Sequence, residues 1–174
     1  YKEASGNKAL ELAKKIEKVK HNGYEIVVVP SLLTMKEVKD KTKLTVFSQH
    51  TGHVPLGAHT GRVSAKELKL IGIKGTLLNH SERKIPLKYL VEIIANCKKE
   101  KLRTIVCASS LGEVKRIAAM KPNYIAYEPK ELIGGNVSVT EANPDVIVKA
   151  VDMVRSISRK TKVLCGAGVH NKED

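Results

Sequence analysis

Six times along the chain, a stretch with helical spacing of apolar residues is followed by a short apolar run, and few architectures accept that alternation. The runs are Glu25 to Val29, Leu44 to Gln49, Gly75 to Asn79, Thr104 to Cys107, Tyr124 to Tyr127 and Lys162 to Cys165. Each is too short for a helix and ends at a polar or glycine-containing loop, which is how a strand buried on both faces reads. The helical stretches are 5–20, Leu33 to Lys39, Ser64 to Ile71, Pro86 to Glu100, Leu111 to Met120 and Pro144 to Ser158. Pro86 and Pro144 fall where a first helical turn tolerates proline. In the first helix Ala9, Leu10, Leu12, Ala13, Ile16 and Val19 line one stripe, and Ser5 is the expected N-cap.

Strict alternation of helix and buried strand requires a parallel sheet, either open and doubly wound or closed as a (β/α) barrel. Chemically useful residues recur after the C-terminal ends of several different strands: Gln49-His50, Asn79-His80, Glu128 and Gly166-Ala167-Gly168. In a barrel these ends converge on one site, whereas an open sheet concentrates its ligand at one switch point. The expectation is therefore an α/β fold, a (β/α)8 barrel of which this chain supplies about six strands. On that reading residues 1–174 form a single, incomplete barrel domain, because the chain opens on a helix and stops just after the sixth strand. A barrel short of two strands would expose two edges of a doubly buried sheet, so an excerpt of a longer chain is expected.

Composition narrows the function classes. A 174-residue chain with 42% hydrophobic residues builds one core. Cys97, Cys107 and Cys165 are odd in number and lack CxxC spacing, which argues against a disulfide framework or zinc knuckle and for a reducing, cytoplasmic setting. The longest apolar stretch, Ile26 to Val29, is far below a membrane span, and residues 1–20 are charged rather than signal-like. The formal charge of +13 points to an anion, but only 3% of residues are aromatic, too few for base-stacking platforms. The lysines alternate with glutamates over every helix, so a solvated, charge-rich surface is expected and no nucleic-acid or membrane partner.

Three loops carry candidate chemistry. Asn79-His80-Ser81-Glu82-Arg83 leads through Pro86 into a helix, whose N-terminus would disfavour imidazolium and leave His80 a neutral donor; the plain alternative has Ser81 and Glu82 capping that helix. Tyr127-Glu128-Pro129 sets a carboxylate at a strand end, a general base if water is excluded and otherwise a solvated side chain. The residues after it, running to Ile133-Gly134-Gly135-Asn136, look like a lid with a stiff entrance and a permissive tip. Cys165-Gly166-Ala167-Gly168 offers backbone N–H groups to a phosphate, or is simply a tight turn. His50, His53 and His59 match no standard metal-ligand spacing, and no metal is expected.

Taken in order, Gln49, Gly57-Ala58-His59-Thr60-Gly61, Asn79 to Arg83, Tyr127-Glu128-Pro129 with Ile133-Gly134, and Cys165 to Gly168 resemble the triosephosphate isomerase family, particularly its shorter archaeal form. The likeness runs from Tyr1 to Asp174. It implies interconversion of dihydroxyacetone phosphate and glyceraldehyde 3-phosphate through an enediol, without a cofactor. It further implies that Glu128 is the base and His80 the electrophile, with Gly134 and Gly168 on the phosphate and Asn79 and Glu82 supporting the site. Thr60 resembles the residue that reaches a neighbouring subunit, implying a homo-oligomer, dimer or tetramer. The family's active-site lysine aligns ahead of Tyr1, so the isolated excerpt is expected to be inactive. Gly135-Asn136 in the lid and His170 depart from the family pattern. The other functions weighed are a different sugar-phosphate enzyme on the same barrel and a basic nucleic-acid-binding domain.

Overall fold

The computed structural model describes residues 2–20, 22–129 and 144–169. A 3-10 turn, Lys2–Ala4, precedes α1 (Lys8–Glu17), and the elements then run β1 (Val27–Val28), α2 (Met35–Lys41), β2 (Thr45–Ser48), α3 (Ala65–Leu70), β3 (Gly75–Leu78) and α4 (Leu87–Lys99). After them come β4 (Arg103–Ala108), α5 (Leu111–Ala119), β5 (Tyr124–Tyr127), α6 (Pro144–Ile157) and β6 (Lys162–Cys165). The six helix-to-strand repeats expected from sequence are present, and β5 and β6 have the expected bounds. The chain forms two compact units, one of residues 1–77 and 87–103 and one of 78–86 and 104–174.

In the first unit β1 pairs with β2 and β2 with β3, both parallel, with Val27 opposite Thr45 and Phe47 opposite Gly75. Its core holds Val38, Val46, Phe47, Leu68, Ile73, Leu90, Ile93 and Ile94, all essentially inaccessible. Helix α4 shows why: Leu90, Ile93, Ile94 and Cys97 follow the i, i+3, i+4, i+7 rule and are its buried residues. In the second unit β4, β5 and β6 pair in parallel and in chain order, with Ala108 opposite Tyr127 and Tyr127 opposite Cys165. Val106, Val114, Ile117, Ile125, Ala150 and Val154 fill its core. Ser64 and Ser110 cap α3 and α5, each accepting the backbone N–H of a glutamate three residues on. Among the described residues no helix is long and apolar enough to cross a membrane.

Three local expectations are corrected. Asn7, not Ser5, occupies the N-cap of α1 and makes no side-chain cap bond, because residues 2–4 already form a separate 3-10 turn. Of the apolar stripe on α1 only Ala9 and Ala13 are buried, while Leu12 and Val19 are exposed. Strand β1 is half-buried and β6 largely exposed rather than buried on both faces, since the described pairing of each is with one neighbour, β2 and β5.

Gly75 sits where no side chain fits. A Cβ there would lie 2.4 Å from the carbonyl oxygen of Arg103 and 2.5 Å from Cζ of Phe47, whose ring lies under the Arg103 guanidinium at 5.1 Å. The first contact is with backbone and the second with a fully buried ring, so neither yields cheaply. Gly75→Ala is expected to lower the unfolding free energy by about 2–3 kcal/mol, the overpacking range, measured by urea titration.

The same guanidinium closes a fork on Glu25. Arg103 Nη1 and Nη2 each donate at 2.6 Å to a different carboxylate oxygen, and Thr45 Oγ1 donates at 2.8 Å. The hydrogen bonds from Arg103 outweigh partial burial and hold the Glu25 carboxyl down at about 2. A carboxyl depressed on folding contributes stability that is complete above its unfolded value of 4.5 and is lost as pH falls toward 2. The pair is partly exposed, so solvent screening reduces it to about 1 kcal/mol. Thermal midpoints measured from pH 6 down to 2 are expected to fall less steeply below about pH 4.5 in Glu25→Gln than in the parent.

Candidate active site

All of the described groups of the candidate site except Thr60 belong to the second unit. The chain leaves β3 through Asn79, whose φ of +58° is a left-handed conformation that asparagine tolerates better than most residues. Its buried amide clamps the loop at both ends: Nδ2 donates to the Cys107 carbonyl at 2.8 Å, and Oδ1 accepts the Ile85 N–H at 2.9 Å. Between these two anchors stands His80. The Arg83 N–H donates to the His80 carbonyl at 2.9 Å, closing a turn. A second tie runs from Lys84 Nζ to Glu113 at 3.1 Å, and the same carboxylate accepts the Ser109 N–H at 2.8 Å. Burial pushes Glu113 up, but the bonds from Ser109 and Lys84 outweigh it and leave the carboxyl below its ordinary value.

His80 Nδ1 accepts the backbone N–H of Glu82 at 3.3 Å. An imidazole nitrogen that accepts carries no proton, so the hydrogen of the neutral ring is on Nε2, free to be donated. The Glu82 carboxylate also lies 3.5 Å from Nδ1, a contact that would require a protonated nitrogen; with that carboxylate 88% exposed, the backbone donor decides the tautomer. Helix α4 starts only at Leu87, so Ser81 and Glu82 are too early to cap it.

Glu128 follows β5 and is 5% exposed, a carboxylate taken out of water rather than a solvated loop residue. Its N–H donates to the Ala108 carbonyl at 2.8 Å, extending the β4–β5 ladder, and the Gly166 N–H donates to the Tyr127 carbonyl at 2.9 Å, extending β5–β6. The carboxylate is thus rooted between two rigid ladders. Its side chain lies across Gly166, where a Cβ would come within 2.5 Å of Glu128 Cγ and 3.2 Å of Oε1. Glu128 also meets Cys107, whose thiol is pushed up, first by burial and then by the charge of Glu128 and a hydrogen bond to it. Sequence reasoning named the Gly166 motif for phosphate contact and used Cys107 only as a count; no local signal marks either as a neighbour of Glu128.

Gly168 is left-handed, with φ +73°, after a tight turn in which the Cys165 thiol donates to the Ala167 carbonyl at 3.3 Å. Gly134, with Ile133, Gly135 and Asn136 of the expected lid, lies outside the described residues, as does His170. Thr60 is exposed in the first unit. Among the described residues no group of three His, Cys, Asp or Glu side chains is placed to hold a metal, and His53 is stacked on Tyr89 with ring centroids 4.4 Å apart.

Comparison with known proteins places this arrangement. The family model for triosephosphate isomerase matches residues 1–174. Triosephosphate isomerase of Methanocaldococcus jannaschii is 41% identical over the whole chain, which covers 80% of that relative. Those of Methanosarcina acetivorans and Methanothermus fervidus are 38% and 35% identical, again over the whole chain and 79% of each relative. With the strand-end motifs in family order and Glu128 buried at the end of β5, the chain belongs to the triosephosphate isomerase family, and its six parallel strands are strands of that family's (β/α)8 barrel.

Proposed function

We propose that the chain carries the catalytic pair of a triose-phosphate isomerase, interconverting dihydroxyacetone phosphate and D-glyceraldehyde 3-phosphate in glycolysis and gluconeogenesis. The observation that carries the reading is the buried Glu128 carboxylate, fixed between two strand ladders and seated on Gly166. Glu128 removes a proton from the carbon next to the carbonyl. His80 donates from Nε2 to the carbonyl oxygen as it gains charge, giving an enediol; the imidazole then takes back a proton from the neighbouring hydroxyl, which becomes the new carbonyl, while Glu128 returns its proton to the adjacent carbon. Triosephosphate isomerase is itself a standard example of such a carboxylate base paired with a neutral imidazole. The reaction only relocates protons, so it balances without an oxidant or a cofactor.

The remaining roles follow from the loops. Asn79 holds the His80 loop to β4, the strand beside Glu128's own, and Glu82 fixes the tautomer through its backbone. Gly134 and Gly168 give backbone N–H groups to the phosphate. Exposed Thr60 reaches a neighbouring subunit, so the working form is a cytoplasmic homo-oligomer.

A coupled assay on the protein carrying this chain tests the reading. Glyceraldehyde 3-phosphate is expected to be turned over, with deuterium from heavy water entering the product at the carbon that Glu128 serves. His80→Gln is expected to lower kcat by at least tenfold, since acid and base groups contribute about 10²- to 10⁴-fold. Turnover of a different sugar phosphate, or an unchanged rate in the variant, would overturn it.

A further inference from the structure

The positive charge of the first unit is not spread evenly between its ends. Because β1, β2 and β3 are parallel and helices connect them, every helix-to-strand turn of this unit lies at the N-terminal end of the strands. The segments that lead into β1, β2, β3 and β4 are 13–26, 39–45, 69–74 and 98–103, and together they hold thirteen Lys or Arg against four acidic residues. The fourth segment belongs to the same end, since the Arg103 N–H donates to the Lys74 carbonyl and its guanidinium grips Glu25. The segments leaving β1, β2 and β3, numbered 31–38, 50–68 and 79–92, hold six basic and four acidic residues.

Helix dipoles explain only part of this. A lysine in a final helical turn complements the negative helix end, but Lys20, Lys43, Lys74 and Lys101 lie beyond the helices, exposed. Among the described residues none of the four forms an ion pair, whereas the acids of this end are engaged: Glu25 by Arg103, Asp40 by Lys36 and Lys39, Glu100 by Lys66. Lys101 occupies a left-handed position, as Lys121 does after α5 in the second unit. Helix α4 closes with the Leu102 N–H on the Cys97 carbonyl and the Lys101 N–H on the Lys98 carbonyl, putting Lys101 at φ +56°. Helix α3 closes in the same way and uses Gly72, at φ +84°, for that position. A lysine therefore stands where the backbone favours glycine.

From this segregation we infer that the strand-N-terminal end of the first unit is a binding face for a polyanion, the phosphodiester backbone of nucleic acid, gripped without base selection. Strands lie about 4.8 Å apart, so the lysine-bearing turns form a row that long, flexible stems can fit to successive phosphates. The scarcity of aromatic residues excludes base stacking and leaves a backbone contact, which is charge-driven and salt-sensitive.

Fluorescence anisotropy of a labelled 20-base-pair DNA duplex of mixed sequence, titrated with the protein carrying this chain, tests the face. With about five phosphates neutralised, affinity is expected to fall roughly 10²- to 10³-fold between 50 and 200 mM salt. Lys43→Glu/Lys74→Glu/Lys101→Glu is expected to weaken binding more than tenfold and to flatten the salt slope by about three. The charge-matched control Lys8→Glu/Arg62→Glu/Lys88→Glu should change it less than threefold. A milder set, Lys43→Gln/Lys74→Gln/Lys101→Gly, removes the strained lysine and must still weaken binding while the thermal midpoint holds. Equal loss in face and control variants, absence of binding at 50 mM salt, or binding of inorganic polyphosphate that the duplex does not displace would each overturn the inference.

Discussion

Shortening Glu128 to aspartate is expected to lower kcat for glyceraldehyde 3-phosphate by about 10²-fold, with KM within threefold of the parent. The substitution keeps the charge and withdraws the carboxylate by one methylene, and a displacement of about 1 Å from a near-attack position is enough for that loss. Glu128→Gln keeps the length and removes the base, so the loss grows to about 10³–10⁴-fold. The fold has little reason to respond, because the bond from Glu128 to Ala108 is made by the backbone. A kcat that survives both changes would remove Glu128 from the role of base, and a matching rise in KM would make it a binding residue instead.

The contrast between what the chain shows by itself and what only its folding shows is sharp at particular residues. Tyr124 to Tyr127 and Lys162 to Cys165 were legible as strands because a run of four and a run of three apolar positions, Val163 to Cys165, between polar turns leave little else to form. His80 and Glu128 were legible as candidates because each directly follows a strand or the residue that ends it. What periodicity does not carry is contact between distant segments. The Asn79 amide reaches Cys107, 28 residues away. Cys107 in turn touches Glu128, and nothing in the spacing of the three announces a cluster. Nor does spacing announce that the loop sets the Glu82 peptide N–H on His80 Nδ1. The lysines looked evenly spread because they are even along the sequence; only parallel strand order sorts them by end.

Gly166 is where that hidden geometry bears most directly on catalysis. Its backbone is not in the left-handed region, in contrast to Gly168 at φ +73°, so alanine is sterically allowed there as far as the chain itself is concerned. What forbids the methyl group is its surroundings: Glu128 Cγ at 2.5 Å, Oε1 at 3.2 Å and the Tyr127 carbonyl oxygen at 3.2 Å. The carbonyl is held in the β5–β6 ladder and cannot retreat, so the Glu128 side chain must. Gly166→Ala is therefore expected to displace the carboxylate and lower kcat by about 10²-fold, close to the effect of Glu128→Asp, with a smaller change in KM. The overpacking should also reduce stability by about 1–3 kcal/mol. Both costs have one cause, and that supplies the decisive comparison. In a Glu128→Ala background, where Cγ is gone and only the Tyr127 carbonyl remains close, Gly166→Ala should cost clearly less stability in urea titrations, giving a coupling energy of about 1 kcal/mol or more between the two positions. An undiminished cost in that background would place the strain in the Cys165 to Gly168 turn itself and leave Glu128 seated by something other than the missing side chain beneath it.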